Sequence, residues 1–90
     1  MDVVMNMARA KTEITPEERD KYIKIGLNIA YYRKVAGMSQ EQLAELVGMS
    51  RQHIGHLEAP NMVVKPSLDT LFRIAKALRI EDHKLLMYRE

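Results

Sequence analysis

The stretch SQEQLAELVGMSRQHIGHLE, residues Ser39 to Glu58, constrains this chain more than any other. Leu43, Ala44 and Val47 fall on one face at helical spacing, and Ile54 and Leu57 do so again after a single glycine. Ser39 can N-cap the first of these helices, because its hydroxyl accepts from an amide two or three residues on; Ser50 offers the same to the second. Gly48 stands where the chain must leave the first helix, in a left-handed conformation that glycine adopts without a Cβ penalty. Ala44 faces the turn, where a small side chain lets two helices cross closely. The sequence therefore predicts two short helices within about 40–58, joined by a tight turn.

Two helices joined in this way form a helix-turn-helix. Setting Ile54 and Leu57 aside leaves Arg51, Gln52, His53, Gly55 and His56 facing outward on the second helix, with no acid before Glu58. That face offers hydrogen-bond forks and amides, the chemistry that reads base edges in a major groove. On these residues the segment resembles the lambda-repressor and Cro-like, or Xre-type, family of DNA-binding domains. The resemblance runs from about Ile25 to Leu86, some two-thirds of the chain. It implies that the second motif helix enters the major groove by its N-terminal end.

The resemblance then assigns roles to residues. Arg51 and Gln52 lie at that N-terminal end and are the candidate base contacts, arginine forking onto guanine and glutamine onto adenine. His56, one turn on, is a third candidate for a base or a phosphate. Gln40 matches the family glutamine that opens the first motif helix, where side chain and amides meet a phosphate at the positive end of the helix dipole. His53 and Lys65 are weaker candidates for phosphate contact. Arg33 and Glu58 resemble a family ion pair that ties the first helix to the end of the reading helix, a structural role. The plain alternative for Arg51, Gln52, His53 and His56 is a set of exposed polar residues on a short helix. Gly55 is unusual on such a face, since it removes a side chain and weakens the helix by up to ~1 kcal/mol.

Around this unit the chain reads as a single all-α domain, a compact five-helix bundle spanning residues 15–90 and preceded by a tail or arm at 1–14. Thr15-Pro16-Glu17-Glu18 is a helix start: threonine caps, proline takes the first helical position and Glu18 completes a capping box. The helix runs to about Ala36, with Tyr22, Ile25, Ile29, Tyr32 and Ala36 as its predicted inner face, and Gly37 ends it. Gly26 within this run argues for close packing against another helix. Pro60 and Pro66 bound a connection that is more apolar than the family's, with Met62, Val63 and Val64 and only Lys65 basic. Ser67 caps a fourth helix whose predicted inner stripe is Leu68, Leu71, Phe72, Ala75 and Leu78. A fifth, from about Asp82 to Tyr88, offers Leu85 and Leu86.

Composition excludes more than it selects. Ninety residues without cysteine leave room for one small core, no disulfide and no thiolate metal site. No apolar run approaches the ~20 residues that span a bilayer, and the acidic, short opening MDVVMNMARAKTEI is a poor signal peptide, so a cytoplasmic location is expected. With 14 basic and 12 acidic residues, the net charge of +2 only leans towards an anionic partner. His53 and His56 share a helix face, but no third metal ligand is placed beside them. No nucleophile with its base, phosphate-cradling glycine loop or paired carboxylate stands out, so neither an enzyme nor a cofactor is expected.

Two functions remain. The first is a sequence-specific transcriptional regulator, expected to repress, that binds double-stranded DNA as a homodimer because one domain presents few base contacts. The second is a protein-binding module on the same fold, an antitoxin or antirepressor. The apolar 60–65 loop and the N-terminal tail favour it mildly.

Overall fold

The computed structural model describes residues 14–88. The described chain contains four α-helices and a closing 3-10 helix: α1 (Pro16–Val35), α2 (Gln40–Val47), α3 (Arg51–Glu58), α4 (Leu68–Leu78) and the 3-10 helix Asp82–Leu85. The expected arm at 1–14 falls, but for Ile14, outside the described residues.

Each α-helix begins on the hydroxyl the sequence supplies. The side chains of Thr15, Ser39, Ser50 and Ser67 accept from the backbone N–H of Glu18, Gln42, His53 and Thr70. At Thr15 and Ser39 the box is closed in return, by Glu18 and Gln42 accepting from the capping residue's own N–H. The Thr15 backbone N–H is the main reason the exposed Glu18 carboxyl lies below its ordinary range. Burial opposes it, and the Thr15 hydroxyl and the charges of Lys65 and Lys21 assist. Gly48 sits at φ 72°, ψ 35°, and both its N–H and that of Met49 return to the Ala44 carbonyl. That closes α2 and sets the angle at which α3 departs.

All five elements meet at one centre. Ile29, Leu43, Ile54, Ile74 and Leu85, one from each, have no exposed surface. Ala44, Val47, Leu57, Leu71, Ala75 and Leu78 surround them, and Ile25, Tyr32 and Val64 close the edges. α1 and α3 cross at Gly26, where a Cβ would stand 2.0 Å from the Leu57 carbonyl oxygen. The glycine inside α1 is therefore the condition for α3 lying so close, as its position in the sequence suggests.

The structure departs from the expected pattern in three places. Ala36 is exposed, because it is the C-cap at which the chain already leaves α1. In α4 the buried stripe is Leu71, Ile74, Ala75 and Leu78, while Leu68 and Phe72 face outward. The last element is a single 3-10 turn ending at Leu85, with Leu86 exposed. A continuing helix is pre-empted by Asn28 of α1, whose buried amide donates to the carbonyls of Leu85 at 2.9 Å and Met87 at 2.6 Å. Lys24 adds a second tether, its ammonium 4.9 Å from the centre of the Tyr88 ring.

Candidate nucleic-acid interface

The candidate face is built on the two ends of α3. At the first end, Ser50 Oγ accepts from the His53 N–H at 3.0 Å, which satisfies one of the free amides of the first turn. Arg51 and Gln52 are the first two helical residues, both exposed, and no acid lies in that turn. Among the described residues neither side chain is engaged in a hydrogen bond or ion pair. A guanidinium fork and a carboxamide thus project together from a helix start whose dipole favours anions. His53 is exposed beside them; His56, one turn on from Gln52, is half-buried.

The other end is closed. Arg33 Nε donates to Glu58 Oε2 at 2.7 Å and its Nη2 to Oε1 at 3.0 Å, with the two side chains 9% and 6% exposed. The same guanidinium reaches forward through Nη1 to the Met38 carbonyl at 2.6 Å. Hydrogen bonding to Glu58 raises the Arg33 pKa above its ordinary value against the opposing effect of burial, and the charge of Glu58 helps. One carboxylate therefore joins the end of α3 to α1, and through Met38 to the turn before α2. The ion pair expected between Arg33 and Glu58 is present, two-pronged and buried.

Gln40 belongs to this cluster. It is the first residue of α2, half-buried, and its Nε2 donates to Glu58 Oε1 at 3.0 Å. A Cβ on Gly55 would lie 3.7 Å from Gln40 Oε1, so the glutamine lies across the gap that the glycine leaves. Ser39 takes the Gln42 amide, which leaves those of Gln40 and Glu41 at the head of α2 for an anion. Gln40, Gly55, Glu58 and Arg33 come together. Lys65, exposed, is set apart from them and acts on Glu18 at the head of α1.

Two residues on which the arrangement depends lack an assigned role in the sequence reading. One is Asn28, a lone amide between Ile25 and Ile29, where a polar residue flanking an inner stripe is the available signal. The other is Met38, which acts through its backbone carbonyl and leaves no side-chain signal. Among the described residues there is no group of three or more His, Cys, Asp or Glu able to hold a metal. No helix there is long and apolar enough to cross a membrane.

Comparison with known proteins places this geometry. The control protein C.SmaI of Serratia marcescens is 44% identical over 59 residues, covering 66% of this chain and 68% of its own. The HTH-type transcriptional regulator SinR of Bacillus subtilis is 34% identical over 62 residues; these cover 69% of this chain but only 55% of SinR. Among solved structures, the restriction-modification controller protein C.AhdI of Aeromonas hydrophila superposes with a TM-score of 0.66 at 34% identity, over 71% of this chain and 94% of that one. The helix-turn-helix family profile matches residues 29–85, which take in the whole motif, α4 and the closing 3-10 helix. By fold, by motif and by sequence, the chain belongs to the helix-turn-helix family of lambda-repressor and Cro-like DNA-binding proteins.

Proposed function

We propose that this protein is a sequence-specific transcriptional regulator that inserts the first turn of α3 into a major groove and represses by occupying its operator. The observation that carries this reading is the contrast within α3: Arg51 and Gln52 stand exposed on a helix whose far end is clamped by Arg33, Gln40 and Glu58. Arg51 reads guanine and Gln52 adenine, each pair discriminating by about 1–3 kcal/mol. His56 lies further along the groove. The amides opening α2, with Gln40, take a phosphate, and His53 and Lys65 add backbone contacts.

One such face presents few base contacts, so two copies bind an inverted repeat with half-sites about one helical turn apart. Leu86, Met87 and Tyr88 at the C-terminal end, each about half exposed, supply apolar surface for that pairing. Of the 62–64 loop, Val64 packs on the core and Met62 is left exposed. The likeness to C.SmaI and C.AhdI makes the promoter of a restriction-modification operon the first natural target to try.

The test is selection of bound sequences from a random duplex pool at fixed salt, since phosphate contacts alone make a basic face bind. An enriched inverted repeat that is lost with Arg51→Ala or Gln52→Ala is the expected result. Binding that depends on salt but enriches nothing removes the proposal.

A further inference from the structure

A second surface lies outside the set of DNA candidates. A groove of about 700 Å³ runs between α2 and the last turns of α4. Met38, Leu46 and Ala77 line its apolar part, and Arg73, Lys76 and Arg79 its rim. The basic bank belongs to α4; Glu45 borders the adjoining cleft on the far side of Leu46. Arg73 is bonded to Asp69 at 2.9 Å in an exposed pair that water screens.

Two features of this groove bear on what would cover it. Leu46, the seventh residue of an eight-residue helix, is 61% exposed, whereas Leu43 and Val47 are buried. Arg79 is the C-cap of α4 at φ 58°, ψ 44°, and is the one non-glycine residue with positive φ among those described. Cations at a helix end suit its free carbonyls, which accounts for the charges of Lys76 and Arg79. The left-handed backbone closes the helix, the Arg79 N–H donating to the Lys76 carbonyl at 3.1 Å and the Ile80 N–H to that of Ala75 at 3.0 Å, an end that glycine or asparagine forms with less strain. Cations on the last turns of α4 and an uncovered leucine on α2 thus border one groove.

We propose that this groove docks an acidic, amphipathic helical segment of a partner protein, with its apolar anchors on Leu46, Met38 and Ala77 and its carboxylates on Arg73, Lys76 and Arg79. The apolar floor favours a protein over a nucleic-acid backbone, for which cations alone suffice. The surface is independent of operator reading, so the two stand or fall separately.

The experiment pans a displayed library of random sixteen-residue peptides against the full chain, then measures the enriched peptides by fluorescence anisotropy. The expected consensus carries acidic residues around apolar anchors spaced three and four apart. Leu46→Glu and Arg79→Gly are each expected to weaken the selected peptide by about tenfold or more. Arg79→Gly also serves as its own folding control: it relieves the backbone, so Tm holds or rises while peptide binding falls. Binding of a random-sequence duplex is expected to be unchanged in both variants. The proposal is overturned if nothing is enriched, if the enriched peptides lack acids, or if they bind both variants as tightly as the parent chain. A matching loss of duplex binding in Arg79→Gly overturns it as well, making the groove a phosphate track.

Discussion

The two ends of α3 lie within eight residues and are built on opposite principles. At Glu58 a carboxylate is almost sealed from water and held by donors from α1 and α2. At Arg51 and Gln52, long side chains stand in solvent, with no partner among the described residues. A buried charge without its partner is severely destabilising, so the closed end admits one geometry. The open end retains the rotamer freedom and donor capacity that a base edge can take up. The difference teaches how one short helix is held rigidly at one end and left free at the other.

The strongest way to break this contrast is to open the closed end. Arg33→Ala strands Glu58 and is expected to cost about 3 kcal/mol or more, read as a large fall in Tm. Glu58→Ala should cost a similar amount, and the double variant much less than the sum. Fully additive losses in that cycle would show that the pair is not one unit. Gly26→Ala attacks the same end by volume, since its Cβ would meet the Leu57 carbonyl oxygen at 2.0 Å. Overpacking of this kind costs about 1–3 kcal/mol. Here a backbone group must yield, so urea denaturation should place the loss at the upper end of that range, with weakened DNA binding alongside.

At the open end the signs separate. Arg51→Ala and Gln52→Ala should leave Tm unchanged and reduce operator affinity by about 1–3 kcal/mol each. A fall in Tm with either would mean that these side chains belong to the mount. Gly55→Ala probes the span between the two ends and has the smallest expected effect. Its Cβ has ordinary van der Waals room beside Gln40. Helix propensity therefore predicts a gain of up to ~1 kcal/mol in stability, measurable as a raised urea midpoint. A loss instead would mean that Gln40 needs that gap to reach Glu58.

Much of the fold is legible in the sequence, because caps and glycines act locally. Thr15, Ser39, Ser50 and Ser67 each do in the structure what an N-cap must. Gly48 is left-handed where the chain turns, and Gly26 sits at the crossing. What is not legible depends on neighbours distant in sequence. In α4, Leu68 and Phe72 form a stripe as regular as the one containing Ile74, and only the position of the other helices decides which faces inward. The closing element reads as a helix to Tyr88, but its carbonyls are claimed by Asn28, 57 residues earlier at Leu85. Gln40 is legible as the opening residue of α2, yet its bond to Glu58 emerges only when α3 folds back across it. Which base or phosphate each exposed side chain meets is a property of the duplex as much as of this chain, and belongs to the proposal.

The shared centre of Ile29, Leu43, Ile54, Ile74 and Leu85 has a consequence for the timing of activity. α3 is finished at Glu58, but the last residue of the shared core, Leu85, arrives only with the 3-10 helix, which packs on α1 and α4. A ribosome part-way along the message therefore carries α2 and α3 without the surroundings that hold them at their angle. Excised or grafted onto another scaffold, these two helices lose the same support. A chain that stops short of Leu85 thus lacks part of the single core that unites all five elements.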